Sequence, residues 1–495
     1  MNSRENTRPT QLALGIAALS VLVTCLINRP WEGLHLRDGA YYAYLAALQA
    51  GGLAPYRDVF HLQGPVLTWL GGLAIGLAGT PGLALLGAFV SGLLTFAGVR
   101  LALAAYGRPG TVVELLPVAL VAWGMTTGWP FLGAFIVSGS RPKFLAIGLA
   151  ACAVHLLCTN RRVAAGAAFA AACWTWQPGA VLTVGAIAGW LAARASERDS
   201  AAEPSVAASL AGVALGGFVV SVGALGALAV QGSFEPFLEQ AVHAAPSQTE
   251  RTFDLIATLH RVGLLLPLPV LLVGAAGLAV NLWHAVSPGA PRLAPDARRV
   301  LAALLGWLVA YLGLLTVDFD WRGDTVPLLL PLGVFAGVAM GRVDHRMAVP
   351  LRLTVAGILC LWLVGADRLS PIQHSPYPHQ QGETLGEHAG RDALTAAKGR
   401  GVLIFADPLL AQQVGEHPKH PFVFWEPGTL EYIHTTYPGG LEAFLDPLVD
   451  RRYGVVTVGP RAAALLPYLA PRLRNQYEPT RSLRPRNRTW VLRDP

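Results

Sequence analysis

The chain has 495 residues, of which 53% are hydrophobic and only 14% charged, with a mean hydropathy of +0.46. That is too apolar for one or two soluble domains with an ordinary surface, and runs of about 20 apolar residues recur, so the sequence predicts a polytopic α-helical membrane protein. The formal charge of +7 and pI near 9.3 do not mark a nucleic-acid binder: the arginines are scattered over loops and form no basic helical face.

In chain order, spans are predicted near 11–28, 64–79, 82–105, 111–127, 143–159, 163–176, 178–193, 207–230, 262–283, 300–317, 325–341 and 349–366. The first run, "QLALGIAALSVLVTCLIN", reads as an anchor: no small-residue cleavage site follows it, as a signal peptide would require. The basic connections "TNRR" (159–162), "ARASER" (193–198), "PRLAPDARR" (291–299) and "GRVDHR" (341–346) read as cytoplasmic by the excess of Lys and Arg on that side, as does the N-terminus with Arg4 and Arg8. This places the tail after 367 outside. An odd number of crossings is then required, so either 128–141 crosses as a short or broken helix or one of the other spans does not. The five cysteines, Cys25, Cys152, Cys158, Cys173 and Cys360, all lie in apolar runs and read as small buried hydrophobes, not as a disulfide framework or a metal site.

Beyond residue 366 the composition changes. "GVLIFA" and "YGVVTVG" are short β-branched strands, "PRAAALLPYLAPRL" is helix-like, and "RTWVLRDP" is a last strand. The expected division is a membrane module over 1–366, with an outer loop at 29–63, and a small extracytoplasmic α/β domain over 367–495. In that domain "VFWEPGTLEYIHTTYPGG" (423–440) crowds Trp425, Tyr432, His434 and Tyr437 near prolines and glycines. This is a loop able to show rings to a sugar, or else the filling of the domain's own core.

The predicted outer loops carry the chemistry. Loop one, "RDGAYYAYLAALQAGGLAPYRDVFHLQGP" (37–65), holds Asp38, Tyr41, Tyr42, Arg57, Asp58, His61 and Gln63, and includes an amphipathic helical pattern that a mere connection does not need. "SGSRPKF" holds Arg141 and Lys143, and "DFDWRGDTVP" holds Asp318, Asp320, Trp321, Arg322 and Asp324. A carboxylate beside cations and aromatics on one side of a membrane suits transfer of a sugar from a lipid phosphate: a base for the acceptor hydroxyl, cations for the departing phosphate, rings for sugar faces. Outer-face Arg141, Lys143 and Arg322 run against the positive-inside trend, and a polyprenyl phosphate supplies the anion that justifies them. They are the candidate donor-phosphate ligands. Tyr41, Tyr42, Arg57, Asp58, His61, Trp321 and Asp324 are candidate sugar or acceptor contacts. No nucleotide-binding motif is present, and the sequence implies no cofactor.

The run "RDGAYYAYLAALQAGGLAPYRDVFHLQGPVLTWLGGL" resembles the first outer loop and second span of polyprenyl-phosphate-sugar-dependent glycosyltransferases of the GT-C superfamily, a group that includes the protein O-mannosyltransferases and the lipid A aminoarabinose transferase. Asp38 stands where that family has its catalytic carboxylate, and Tyr41, Tyr42, Pro55, Tyr56, Asp58 and Pro65 match in order. "SRPKFLAIGLAACAVHLLCTNRR" and "DWRGDTVPLLLPLGVFAG" are similar to the family's arginine-bearing helix end and late loop-to-span segment. The resemblance implies a GT-C-like fold of about 11–13 spans of about 20 residues, a polyprenyl-phosphate-linked hexose or pentose donor, a lipid, glycan or protein acceptor, and inversion with Asp38 as base. Gly39 replaces a common second acid, and Leu62-Gln63-Gly64-Pro65 replaces a His-Pro-Pro, which leaves metal dependence and acceptor class open. Richness in alanine, glycine, leucine and arginine with little lysine points to a bacterial plasma membrane. The rival readings are a lipid or glycan transporter or flippase, disfavoured because Glu114, His155 and Gln177 are isolated and the halves differ, and a glycan polymerase or ligase, which would lean on outer arginines and histidines.

Overall fold

The computed structural model describes residues 7–28, 38–79, 81–106, 115–123, 141–197, 204–244, 268–286, 293–316, 325–342, 354–355, 357–358, 389–415, 418–423, 425, 427–451, 453–480 and 487–493. The predicted apolar runs are helices: α1 (Thr7–Asn28), α3 (Val66–Ala78), α4 (Pro81–Tyr106), α5 (Leu116–Trp123), α6 (Pro142–Cys158), α7 (Arg162–Thr175), α8 (Gly179–Ala195), α9 (Val206–Val230), α11 (Leu268–Val286), α12 (Pro295–Leu315) and α13 (Val326–Arg342). The pattern in loop one is a helix too, α2 (Asp38–Ala50). Helix α10 (Phe234–Phe237) runs on as a π-helical turn, Leu238–Ala244. Among the described residues α4, α9 and α12 are long and apolar enough to cross a bilayer by length and composition, and several further apolar helices are shorter. The expected span at 349–366 and the uncertain stretch 128–140 lie largely outside the described residues.

By backbone proximity the chain forms two compact units, Met1–Trp31 with Ala84–Leu225 and Arg251–His374, and Glu32–Leu83 with Gly226–Glu250 and Ser375–Pro495.

In the first unit small residues let helices approach to backbone contact: a Cβ added at Gly189 on α8 would collide with the carbonyl of Ala302 on α12, and one at Gly306 with the carbonyl of Gly185. Polar groups in the bundle are paired across helices. Asn281 Nδ2 donates to Phe335 O at 3.0 Å, Trp307 Nε1 to Pro327 O at 3.1 Å, and Ser20 Oγ lies 3.2 Å from Thr95 Oγ1. His155 is joined to Arg100, whose guanidinium also donates to Thr10 Oγ1 at 3.1 Å, so it is a hydrogen-bonding partner within the bundle. Apolar side chains point outward where lipid would lie, with Phe218 67% and Leu26 61% exposed.

Two of the basic connections meet on one acid. Glu197, just past α8, accepts from Arg194 at 3.1 Å, from Arg298 at 3.1 Å and from Arg299, whose side chain is 3% exposed. Burial alone would raise the Glu197 carboxyl; hydrogen bonds from Arg299, Arg194 and Arg298 outweigh it and hold the group below the usual carboxylate range.

In the second unit a four-stranded sheet has the order β1-β2-β4-β3, with β1 (Val402–Phe405) and β2 (Val455–Val458) parallel, and β4 (Arg488–Leu492) antiparallel to both β2 and β3 (Tyr477–Thr480). The predicted strands at 402–405, 455–458 and 488–492 are present. β3, "YEPT", was not foreseen: it carries a proline and no alternation, features tolerated because it is an edge strand. Helices α14 (Pro408–Val414), α15 (Pro427–Thr436), α16 (Gly440–Asp450) and α17 (Leu466–Leu473) pack around the sheet. Asp407 caps α14 by accepting from Leu410 N at 3.0 Å, and Asn487 Nδ2 donates to its other oxygen at 2.7 Å, tying the end of β1 to the start of β4. Phe60, from loop one, is buried in the same apolar core as Phe405, Trp425, Phe444 and Val456.

Glu197→Gln removes the carboxylate on which three guanidiniums converge, one of them the buried Arg299, which keeps Asp296 at 3.6 Å. It is expected to destabilise the protein by about 3–5 kcal/mol, read as a drop in the thermal midpoint of the detergent-solubilised protein; a midpoint within a degree of the parent would count against this cluster as a fastener of α8 to α12.

Candidate functional site

Loop one supplies most of the predicted site residues, and its backbone explains where they go. Asp38 is the first residue of α2, where the helix dipole favours an acid; its side chain lies outside the described part of the structure. One turn on, Tyr41 is buried, donates to Ala406 O at 3.4 Å, and carries the Arg461 guanidinium 5.0 Å above its ring. Tyr42 is half-buried beside the cluster of Tyr41, Tyr44, Leu45, Leu48, Val59 and Val423.

The "PYRD" segment is a tight turn. Tyr56 sits at φ 67°, its N–H donates to Val59 O at 2.8 Å, and its hydroxyl donates to Gln63 O. Asp58 closes the turn, accepting from Ala54 N at 2.8 Å and from Arg57 at 2.9 and 2.7 Å, and Arg57 Nη1 donates to Gln231 O at 2.8 Å. The hydrogen bonds from Arg57 hold the Asp58 carboxyl below its ordinary range. These contacts make Arg57 and Asp58 the lock of the turn.

His61 is wholly buried. Its N–H donates to Gln240 Oε1 at 3.0 Å, Gln240 Nε2 donates to Tyr56 O at 2.8 Å, and the ring Nε2 lies 3.4 Å from Thr68 Oγ1. Burial pushes the imidazole down to about 4, so it is neutral at ordinary pH. His61 thereby couples the turn to the π-helical residues 238–244.

Two predicted donor ligands are described in the first unit. Arg141 is the N-cap residue of α6, with Pro142 following as N1. Lys143 projects its ammonium over the ring of Trp176 at 5.1 Å, and Trp176 packs against Tyr311 at 6.2 Å. Trp176, which the sequence reading passed over, stands at the end of α7 ahead of Pro178, a position where interfacial tryptophans collect. Trp321, Arg322 and Asp324 lie outside the described residues. Among the described residues no group of three or more His, Cys, Asp or Glu is placed to hold a metal ion.

Tyr56, Arg57 and Phe60 also line an open cavity of about 380 Å³, together with residues from 239–240 and 419–451. Of the aromatics expected to face a sugar, Tyr432 and Tyr437 line this cavity, Trp425 is buried in the core with its Nε1 donating to Phe422 O at 3.0 Å, and His434 is exposed on α15. Glu239, Gln240 and His420 of the same cavity had no signal in the sequence, since each follows an unremarkable stretch and gains meaning only through packing.

The described residues form a bundle of apolar helices, three of them long and apolar enough to cross a bilayer, with a small α/β portion toward the C-terminus. The structure is similar to that of ArnT from Cupriavidus metallidurans bound to undecaprenyl phosphate, at a TM-score of 0.63 and 16% identity, covering 96% of this chain and 97% of that one. ArnT in the apo state gives a TM-score of 0.61 at 15% identity with the same coverage. At these identities the likeness is one of fold. No family model and no curated protein matches the chain.

His61 and His420 are both held near 4 by burial, against about 6.5 in an unfolded chain. A depressed histidine contributes stability in full above pH 6.5 and loses it as pH falls toward 4. Thermal midpoints measured from pH 7.5 to 4.5 should therefore decline steadily below 6.5, and His61→Gln should flatten that decline while lowering the plateau at pH 7.5. A slope unchanged in the variant would remove His61 from this account.

Proposed function

We propose that the protein is a membrane glycosyltransferase that moves a sugar from a polyprenyl-phosphate donor to an acceptor hydroxyl on the outer face of the bacterial plasma membrane, with inversion. The observation that carries this reading is the shared fold over nearly the whole chain with ArnT, a protein solved with undecaprenyl phosphate bound. The loop-one signature from Asp38 to Pro65 supports it independently, because it lies in the sequence and not in the fold. In this reading the N-terminus is cytoplasmic and the residues after 367 are extracytoplasmic.

The chemistry balances without a redox partner. Asp38 takes the proton of the acceptor hydroxyl as its oxygen attacks the sugar's anomeric carbon from the face opposite the phosphate. The C–O bond to phosphate then breaks, and the electron pair leaves with the polyprenyl phosphate. The departing group changes from a phosphodiester with one negative charge to a monoester that carries a second. Arg141, Lys143 and Arg322 are the groups assigned to that growing charge, and they stabilise the transition state to the extent that they bind the product anion more strongly than the substrate. Lys143 holds its ammonium over the face of Trp176, 5.1 Å from the ring centroid, which steers the side chain. A multi-pass scaffold suits such a reaction because the donor's tail stays in lipid while its phosphate sits at the interface.

Asp38→Asn keeps the side chain's shape and removes the base. Transfer should fall by about 10²–10⁴-fold in a radiolabelled-donor assay, with donor binding retained; parental turnover in correctly inserted protein would shift the role to another carboxylate. Arg322→Gln should weaken binding of the polyprenyl-phosphate donor at least about tenfold, the usual cost of a charge-assisted contact, and leave acceptor KM nearly unchanged. Equal effects on donor and acceptor would argue against a phosphate clamp.

A further inference from the structure

The cavity beside the "PYRD" turn has a construction that the transfer reaction as described does not use. Its volume of about 380 Å³ falls in the range of small-molecule sites, roughly 300–1,000 Å³. Aromatic rings form much of its wall, and they are braced. Phe60 lies 4.9 Å from Tyr432 and 5.0 Å from Phe422, and Phe444 lies 5.4 Å from both Phe422 and Tyr437. Tyr437 is 40% exposed, so one ring at the wall remains open to solvent.

Hydrogen-bonding groups of both senses share the wall with those rings. Glu239 accepts from the Tyr432 hydroxyl at 3.0 Å, and a carboxylate has further lone pairs to offer. Lys419 and Arg451 are donors. His420 is the telling residue. It is 8% exposed, its ring lies stacked 4.8 Å from Phe405, and its Nε2 is 2.9 Å from Ile404 O, which fixes the proton on that nitrogen. Its Nδ1 is then an acceptor, and it has no hydrogen-bond partner in the structure. A buried acceptor left unmatched is costly, and because His420 belongs to the cavity wall, a donor from a bound ligand that reached it would relieve that cost.

The ligand must therefore donate hydrogen bonds, accept them, and offer an apolar face to a ring. Hydrocarbon chains fail the first two requirements, and inorganic anions fail the third. Saccharides meet all three, with hydroxyls around the edge and C–H bonds on the face.

We propose that this cavity is a saccharide-binding site that holds one or two sugar residues, with Tyr437 as its accessible ring and His420 and Glu239 as hydroxyl acceptors. Naming its occupant as the glycan of the acceptor rests on the glycosyltransferase reading; the binding of a saccharide does not.

The test uses the full-length Asp38→Asn protein in lipid nanodiscs, without donor, and saturation-transfer NMR with maltose, cellobiose and α-1,6-mannobiose as probes and inorganic phosphate as competitor. At least one disaccharide should bind, and Tyr437→Ala, a change at an exposed ring that leaves the core intact, should weaken it by about fivefold or more. Glu478→Gln, on the exposed edge strand β3 and outside the cavity wall, should change it less than twofold. No transfer to any disaccharide, affinity unaltered by Tyr437→Ala, or displacement by phosphate would each overturn the proposal, the last in favour of an anion site. Loss of activity is scored separately on the parent protein, so a failed Asp38 assignment and a failed saccharide site give different results.

Discussion

The second unit depends on the burial of one side chain from the far end of the sequence. Phe60 is 1% exposed inside a core made otherwise of residues beyond 400, and its N–H donates to Pro421 O at 2.9 Å. Full burial of such a ring is worth about 2–3 kcal/mol, and its removal would open a cavity among Phe422, Tyr432 and their neighbours. The rest of loop one is arranged to deliver it. The left-handed backbone at Tyr56, the Arg57–Asp58 lock and the His61–Gln240 bond all fix the five residues around it. What looks in the sequence like a connection between two spans is thus a structural member of the C-terminal portion.

That arrangement explains which parts of the molecule were legible in advance. Apolar runs announce themselves by length, and the helices lie within a few residues of the predicted spans wherever both are described; α2 was visible through its apolar period. The β-branched strands were legible for the same reason. β3 was not, because an edge strand containing Pro479 needs only its partner's hydrogen bonds and no pattern of its own. For the candidate site, the sequence offered residues of suitable chemical type but not which of them are spent on structure. Asp58 and Arg57 satisfy each other, Tyr41 is committed to the carbonyl of Ala406, and Lys143 is aligned by a tryptophan 33 positions downstream. These pairings are settled by tertiary packing, which a local reading of charge and spacing does not contain.

The charged residues follow two different rules. On the predicted cytoplasmic side, arginines that merely satisfy an orientation bias would be solvated; instead three of them converge on Glu197, and the carboxylate's burial is compensated by their hydrogen bonds. In the described part of loop one Arg57 and Asp58 neutralise each other, and the buried His61 is kept uncharged. Close backbone contact of small residues, as between α8 and α12, is what holds the described bundle helices together.

Tyr41 and Ala406, joined by a hydrogen bond, stand 365 residues apart. At roughly 5–20 residues per second of synthesis, loop one emerges roughly 20–70 s before the strand it is built to meet. Throughout that interval Phe60 lacks the core that buries it, and Tyr41, Tyr44 and Leu48 lack Val423, so this face of the loop is completed only when the last quarter of the chain arrives. A truncation near residue 400 would leave Phe60 without the core it fills and Tyr41 without the carbonyl of Ala406.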